Sequence, residues 1–353
     1  MLVIDGSYGE GGGQILRVAL ALSCILGVDI KVERIRAKRD NPGLRPQHLT
    51  AVKAVSELCH AEVEGLNVGS QSLVFKPGSI RGGLFKFNIG TAGSITLVLQ
   101  TLLPVMAFSH SPVEVELIGG TDVPWSPPID YVRYVLLPHL SKLGYEVNLT
   151  LVRRGHYPKG GGLVKVRTVN QPRGFNAIVL DRRGDVSLIK VFSHCVKLPK
   201  DVAVRQANAA EKTLKDAGIK APLEVNLEFY EPNKDPHLGP GSGVVLVAHA
   251  GDAILGSDAL GAKGKRAEVV GSEAAEKLIK DLNTNAALDT HMSDNILIYL
   301  SLSKGKSVIT GAELSMHAQT ALWVIKQFID VEYVISGELG NPFKLEILPR
   351  TST

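Results

Sequence analysis

Cysteine is scarce here: Cys24, Cys59 and Cys195 are the only three among 353 residues. They are odd in number, far apart and without Cys-x-x-Cys spacing, which argues against both a disulfide framework and a structural zinc site. A reducing cytoplasm is the compartment expected from such usage. Long hydrophobic runs are also missing. No apolar stretch approaches the ~20 residues that a membrane-crossing helix needs, so no membrane association is expected. The chain opens on a strand and a glycine turn instead of a charged segment followed by an apolar one, so no secretory leader is expected either. Low-complexity tracts and long charged tails are absent. The formal charge of +4 is too small for an all-over basic surface, so affinity for nucleic acid has to come from a local cluster.

What is present suffices for a large core. Hydrophobic residues make up 44% of the chain and charged residues 21%, enough to bury one large core or two smaller ones. The order of elements recurs. A first pass predicts a strand at Leu2–Ile4, a helix from Gln14 to Leu26, a strand at Ile30–Ile35, a helix from Gln47 to Cys59, and strands near Ala61–Glu64 and Ser72–Phe75. A second predicts a strand at Phe85–Ile89, helix Ser94–Phe108, strand Val113–Leu117, helix Ile129–Leu143, and strands near Glu146–Val152 and Leu163–Val166. Gly93-Ser94 there takes the place of Gly13-Gln14. A third starts at Asn176–Leu180, breaks off, and resumes with helix Ser293–Leu302, strand Ser307–Ile309, helix His317–Phe328, and strands Glu332–Ile335 and Lys344–Ile347.

The predicted fold class is therefore α/β (α+β) with three βαβαββ units, at about 1–80, 81–168, and 169–183 plus 285–353. Residues 184–284 interrupt the third as a small α/β insert. Within it, strands are predicted at Ser187–Val191, Glu224–Phe229 and Gly243–Ala248, helices near Val202–Asp216 and Ala267–Leu282, and an exposed loop over Pro232–Gly243.

Three stretches carry candidate chemistry. Asp5 to Arg17 reads Asp-Gly-Ser-Tyr-Gly-Glu-Gly-Gly-Gly-Gln-Ile-Leu-Arg and runs into an apolar stripe at Ile15, Val18, Ala19 and Leu22. A helix starting there aims free N–H groups at the loop, as a phosphate site requires; a plain chain reversal needs the same glycines. Neither the dinucleotide fingerprint nor the Walker loop fits, because the glycine spacing is wrong and Lys-Ser/Thr is missing. Arg34, Arg36, Lys38, Arg39 and Arg45 converge on the second helix's start, a combination suited to an anion and equally to a solvated basic strand edge. His317 stands at a helix start, where the dipole disfavours imidazolium and leaves a neutral nucleophile; capping is the plainer reading of a lone histidine. In the insert, His194, Cys195, His237 and His249 lack metal-ligand spacing and read as packing or surface residues.

Taken in order, Asp5-Gly6, Glu10-Gly-Gly-Gly-Gln14-Ile-Leu-Arg17, Ile35-Arg36-Ala37-Lys38-Arg39, Pro42-Gly43-Leu44-Arg45-Pro46-Gln47-His48-Leu49, Gly90-Thr91-Ala92-Gly93-Ser94, Leu99-Gln100, Gly119-Gly120-Thr121-Asp122, Tyr157-Pro158-Lys159-Gly160-Gly161-Gly162 and His317-Ala318-Gln319-Thr320-Ala321 resemble the RNA 3′-terminal phosphate cyclase family. The resemblance covers nearly the whole chain. It implies three βαβαββ units similar to the C-terminal domain of a bacterial translation initiation factor, with a small α/β insert in the third. It implies an enzyme that uses ATP and a divalent cation, Mg²⁺ or Mn²⁺, to close an RNA 3′-phosphate into a 2′,3′-cyclic phosphodiester through a histidyl-AMP and an RNA-(3′)pp(5′)A end.

By this resemblance His317 is the nucleophile, Glu10 the metal ligand, and Arg17, Arg36, Arg39 and Gln47 line the pocket for the phosphates and the RNA end. Gln100 and the segment His291, Met292, Ser293, Asp294, Asn295 contact the nucleotide. The segment departs from the family pattern, His291 replacing an aromatic and Asn295 a glutamine, while Asp294 is retained. Pro127, Pro128 and Tyr131 suit either an adenine wall or the core. The family also contains catalytically silent proteins of ribosome assembly, which lack the histidine that this chain has. Enolpyruvyl transferases share related repeats without the His-Ala-Gln-Thr signature.

Overall fold

In the first sheet β1 (Leu2–Asp5) pairs in parallel with β2 (Ile30–Glu33), a pairing that needs a crossover, and α1 (Gly13–Leu26) supplies it. After α2 (Pro46–Cys59), β3 (Glu62–Glu64) and β4 (Leu73–Lys76) close the sheet antiparallel in the order β1-β2-β4-β3. Alternate residues Ile30 and Val32 of β2 turn into the core, the period of a sheet covered on one face. The computed structural model describes residues 1–350.

The second sheet repeats the pattern. It contains β5 (Gly83–Asn88), α3 (Ile95–Met106), β6 (Val113–Gly119), a helical stretch made of α4 (Ile129–Tyr131), a π turn Val132–Leu136 and α5 (Leu137–Lys142), then β7 (Val147–Arg153) and β8 (Gly162–Thr168), in the order β5-β6-β8-β7. Next comes β9 (Val179–Leu180), two residues long where five were expected. A separate sheet then runs β10 (Val186–Val196), β11 (Leu223–Glu228), β12 (Gly241–Ala250) and β13 (Ala253–Leu260), in the order β11-β10-β12-β13, with α6 (Asp201–Asp216) and α7 (Ala267–Leu282) packed together against it. Its fourth strand, β13, was not expected; Gly256, Ser257 and Asp258 give it no strand-like apolar alternation.

The chain returns through α8 (Thr290–Asn295) and α9 (Leu297–Ser301), two short helices meeting at Ile296 where one was expected. Then β14 (Ser307–Gly311) pairs in parallel with β9, and α10 (Met316–Phe328), β15 (Val331–Ser336) and β16 (Phe343–Pro349) complete the order β15-β16-β14-β9. The fold is thus mixed α/β, built from four small mixed sheets among the described residues. No described helix is long and apolar enough to cross a membrane.

Helix α1 is the hub. It packs on α2, α3 and α10, and every residue from Ile15 to Cys24 is buried, Arg17 included. The expected one-sided stripe is therefore wrong: Ala19-Leu20-Ala21-Leu22 is apolar all round because helices press on several faces.

The sheet of β10 to β13, called the fourth because the other three share one strand order, is tied to the second by Arg154, just after β7 and 3% exposed. Its guanidinium donates to Asp122 (3.2 Å), Asp130 (2.5 Å) and Glu228 of β11 (2.7 Å). Removing one member of a buried ionic set strands the others without compensation. Arg154→Met is expected to cost about 3–5 kcal/mol in thermal or denaturant unfolding; a variant as stable as the parent would show that the carboxylates find other partners.

Candidate active site

The glycine turn between β1 and α1 is held from both sides. Asp5 Oδ1 accepts from Ser7 N (2.9 Å) and Ser7 Oγ (2.7 Å), and Gly6 N donates to Glu33 O at 2.7 Å, which starts the turn where β1 ends. Tyr8 stacks on Trp323 of α10, ring centroids 4.0 Å apart and planes 6° from parallel. Gly9 has φ +57, and a Cβ there would come within 2.8 Å of Thr320 Oγ1, so the turn can lie flat on α10 only with glycine. Lys38 Nζ donates to Gly9 O at 3.0 Å.

These contacts deliver Glu10 to His317, across more than three hundred residues of chain. Glu10 Oε2 pairs with Arg39 Nη2 at 3.0 Å, and Oε1 touches His317 Nδ1. That contact lacks hydrogen-bond alignment, so Oε1 is a buried carboxylate oxygen without a hydrogen-bond partner. An oxygen in that state suits a hard divalent cation.

His317 is the second residue of α10, its side chain 47% exposed. Burial on its inner side, with Arg17 and Arg39 adding to it and Glu10 opposing, lowers its pKa below the ordinary histidine value and holds the ring neutral. Ser315 caps the helix, its Oγ accepting from Ala318 N at 2.9 Å while donating to Asp294. Asp294 therefore fixes the helix start that carries His317. Burial pushes the Asp294 carboxyl up to about 7, against the Ser315 hydrogen bond.

Gln14, Arg17, Gln100, Asp294 and Asn295 line one cleft, which Ala321 of α10 also borders. Arg17, wholly buried and lowered to about 10 by desolvation, is anchored by donating to Gln14 Oε1 at 2.8 Å. Gln100 reaches the cleft with Oε1 enclosed and unpartnered. Arg36 sits apart from it, tying its own loop by donating to Asn41 O (2.6 Å) and Gly43 O (3.0 Å); its φ of +53 and that of Arg34 end β2 two residues short of expectation. Gln47 Oε1 accepts from Ser94 N at 3.1 Å and so braces the N-cap of α3. His291 is exposed and turned toward the fourth sheet, 3.7 Å from Asp258 and edge-on to Tyr131, which is itself buried in the core. Met292 and Ser293 are fully buried, with Ser293 Oγ donating to Asp289 O, so their side chains belong to packing and not to a ligand surface.

Three contributors were not foreseen. His48, 5% exposed and lowered to about 3 by burial together with Arg17, Arg36 and Arg45, accepts from Arg45 N at 3.1 Å. Its ring lies so close to Gly13 that a Cβ there would be 2.7 Å from Nε2. Ser315 carries an N-cap signature readable beside His317. The Tyr8–Trp323 stack joins distant segments and has no local signal.

A carboxylate set between a guanidinium and a neutral imidazole at a glycine turn, with a second guanidinium near the imidazole, is an arrangement suited to a ligand bearing phosphate. The chain belongs to the RNA 3′-terminal phosphate cyclase family: the family model of that description matches residues 8–335. It is 55% identical over 350 residues to the RNA 3′-terminal phosphate cyclase of Hyperthermus butylicus, covering 98% of both chains. The proteins of that name from Ignicoccus hospitalis and Methanopyrus kandleri are 52% and 47% identical, each covering 98% or more of both chains. Such similarity makes this chain a cyclase enzyme.

Because the Asp294 carboxyl is raised from 3.8 to about 7, the stability it contributes is full below about pH 4 and is lost as pH rises through 7. Asp294→Asn removes that loss, on the order of 1.4 kcal/mol per pKa unit. Relative to the parent, the variant's unfolding temperature is expected to climb from pH 4 to pH 8. Parallel profiles would acquit Asp294 as the titrating group.

Proposed function

We propose that the protein is an ATP-dependent RNA 3′-terminal phosphate cyclase working in the cytoplasm, with His317 as its adenylated nucleophile. The observation that carries this is the meeting of Glu10, Arg39 and His317 at the glycine turn. With Nδ1 against Glu10, Nε2 is the nitrogen left to attack the α-phosphorus of ATP. The N–P bond forms, the P–O bond to the β-phosphate breaks, and pyrophosphate leaves. The adenylyl group then passes to an oxygen of the RNA 3′-phosphate, and imidazole departs neutral. The adjacent 2′-hydroxyl attacks that phosphorus, its proton is lost, and AMP is expelled as the cyclic diester closes.

Arg17 and Arg39 stabilise the charge that builds on the transferring phosphate, while Arg36 and Gln47 shape the RNA-end side of the pocket through the loop and helix start they brace. Gln100, Asp294, Asn295 and His291 flank the nucleotide, with Asp294 also setting the orientation of α10. Mg²⁺ or Mn²⁺ fits at Glu10, where it would neutralise the ATP phosphates. The RNA is recognised by its terminal phosphate and ribose, which carry no base information. The same reading takes the three like-ordered sheets as βαβαββ units akin to the C-terminal domain of a bacterial translation initiation factor. Residues 184–284 are then an inserted domain.

The test is incubation with α-labelled ATP and Mg²⁺ without RNA. Acid-labile, base-stable label is expected on the protein and absent from His317→Ala, and an unlabelled parent would reduce it to a silent member of the family. Arg39→Ala is expected to slow labelling by roughly 10²-fold. RNA ending in a 3′-hydroxyl should not be cyclised, having no phosphate to activate. Since the His317 pKa is lowered, labelling should hold through neutral pH and fall only below about 6.5 as the ring protonates. A fall centred above that value would contradict a neutral nucleophile.

A further inference from the structure

A second group of metal-ligating side chains lies away from the glycine turn, where the second sheet meets the fourth. Asp122 follows β6, His156 lies between β7 and β8, and His194 is in β10; they are 2%, 6% and 2% exposed. One ligand atom from each lies within 4.8 Å of the other two. His156 Nε2 faces His194 Nε2 at 3.0 Å, and His194 Nε2 is 4.0 Å from Asp122 Oδ1. Asp122 is fixed by Thr121 Oγ1, which donates to Oδ2 at 2.6 Å, and by Arg154.

Two features leave this cluster incomplete without a cation. Asp122, Asp130 and Glu228 surround the one guanidinium of Arg154, so carboxylates outnumber cations here, with Asp122 and Asp130 buried and Glu228 partly exposed. In addition, the start of β12 and the loop before it close over His156, Gly241 lying where a Cβ would strike its ring at 2.0 Å. That loop carries His237, 3% exposed, whose Nδ1 is held by Asp235 Oδ1 at 2.7 Å while Nε2 is buried without a partner. A carboxylate on one ring nitrogen and a bare second nitrogen is how a ligating histidine is oriented.

We propose that Asp122, His156 and His194 hold a divalent transition metal of the zinc type, separate from the cation at Glu10. Two imidazole nitrogens and a carboxylate oxygen form a borderline donor set that favours Zn²⁺ over Mg²⁺, with a fourth position next to His237. The ion would clip β10 to the segments after β6 and β7, fixing the fourth sheet on the second. This site would contribute stability and not chemistry.

Protein stripped with chelator, reloaded with Zn²⁺ and gel-filtered should retain one ion per chain by elemental analysis. Glu10→Gln should retain it too, whereas His156→Ala and His194→Ala should bind at least tenfold more weakly. Zn²⁺ should raise the unfolding temperature of the parent and leave both histidine variants unchanged. Should those variants fail to fold, Co²⁺ loaded into the parent decides, since a tetrahedral nitrogen and oxygen set gives intense visible absorption. A parent that retains no Zn²⁺, or lacks that Co²⁺ spectrum, or histidine variants that retain the ion equally, would overturn the proposal.

Discussion

The seating of the first glycine turn on α10 is the contact on which the site depends. Glu10 and His317 belong to opposite ends of the chain, and neither side chain is long enough to find the other unless the backbones are already adjacent. Tyr8 on Trp323 and Gly9 on Thr320 make that adjacency a packed interface. Helix α1, buried on all sides and lying against α10, sets the same distance from within. A side chain at Gly9 would lift the turn by its own thickness and part the carboxylate from the imidazole. Precision in the chemistry therefore comes from close packing between units rather than from hydrogen bonds inside either one.

Charge is organised around the same contact. Arg17 loses water inside the core and keeps its positive charge, so its field acts through a medium that screens poorly. The nearby rings, His48 and His317, respond by staying neutral. For His48 neutrality serves structure: its Nδ1 must accept from Arg45 N to finish the start of α2. For His317 it preserves a lone pair. One buried guanidinium thus secures two histidines for different ends, and the Glu10 carboxylate keeps the cluster from repelling itself.

The mixed α/β class and most of the helices were legible in the sequence because apolar periodicity is local. Element ends were harder where backbone conformation overrides pattern. Arg34 and Arg36 take positive φ although nothing in Arg-Ile-Arg predicts it, and the break at Ile296 sits within a continuous apolar run. In the site, Glu10, Arg17, Arg39 and His317 were legible through the ordered motifs that resemble the family; alone, each had a plainer reading as a solvated, packed or capping residue. Met292 and Ser293 belong to the segment that the family resemblance sets against the nucleotide, but a helix turns neighbours about 100° apart, and these two side chains turn inward. His194 reads in the sequence as a packing or surface residue for want of metal-ligand spacing, yet it lies with Asp122 and His156: the three come from three segments, and spacing rules detect only ligands that share one.

The division of labour along the chain follows from where the buried charge lies. Arg154 and its three carboxylates are joined across two sheets, so the fourth sheet cannot swing away without exposing an unpaired ion on each side. Through β13, that sheet reaches back to α8: Asp289, the N-cap of α8, accepts from Gly256 N at 2.7 Å and from the Tyr131 hydroxyl at 2.6 Å. Asp294 lies one turn further along α8 and grips Ser315 at the start of α10. A continuous series of polar contacts therefore runs from the fourth sheet to the helix bearing His317. The attachment of that sheet therefore bears, through Asp289 and Asp294, on the helix start where His317 stands.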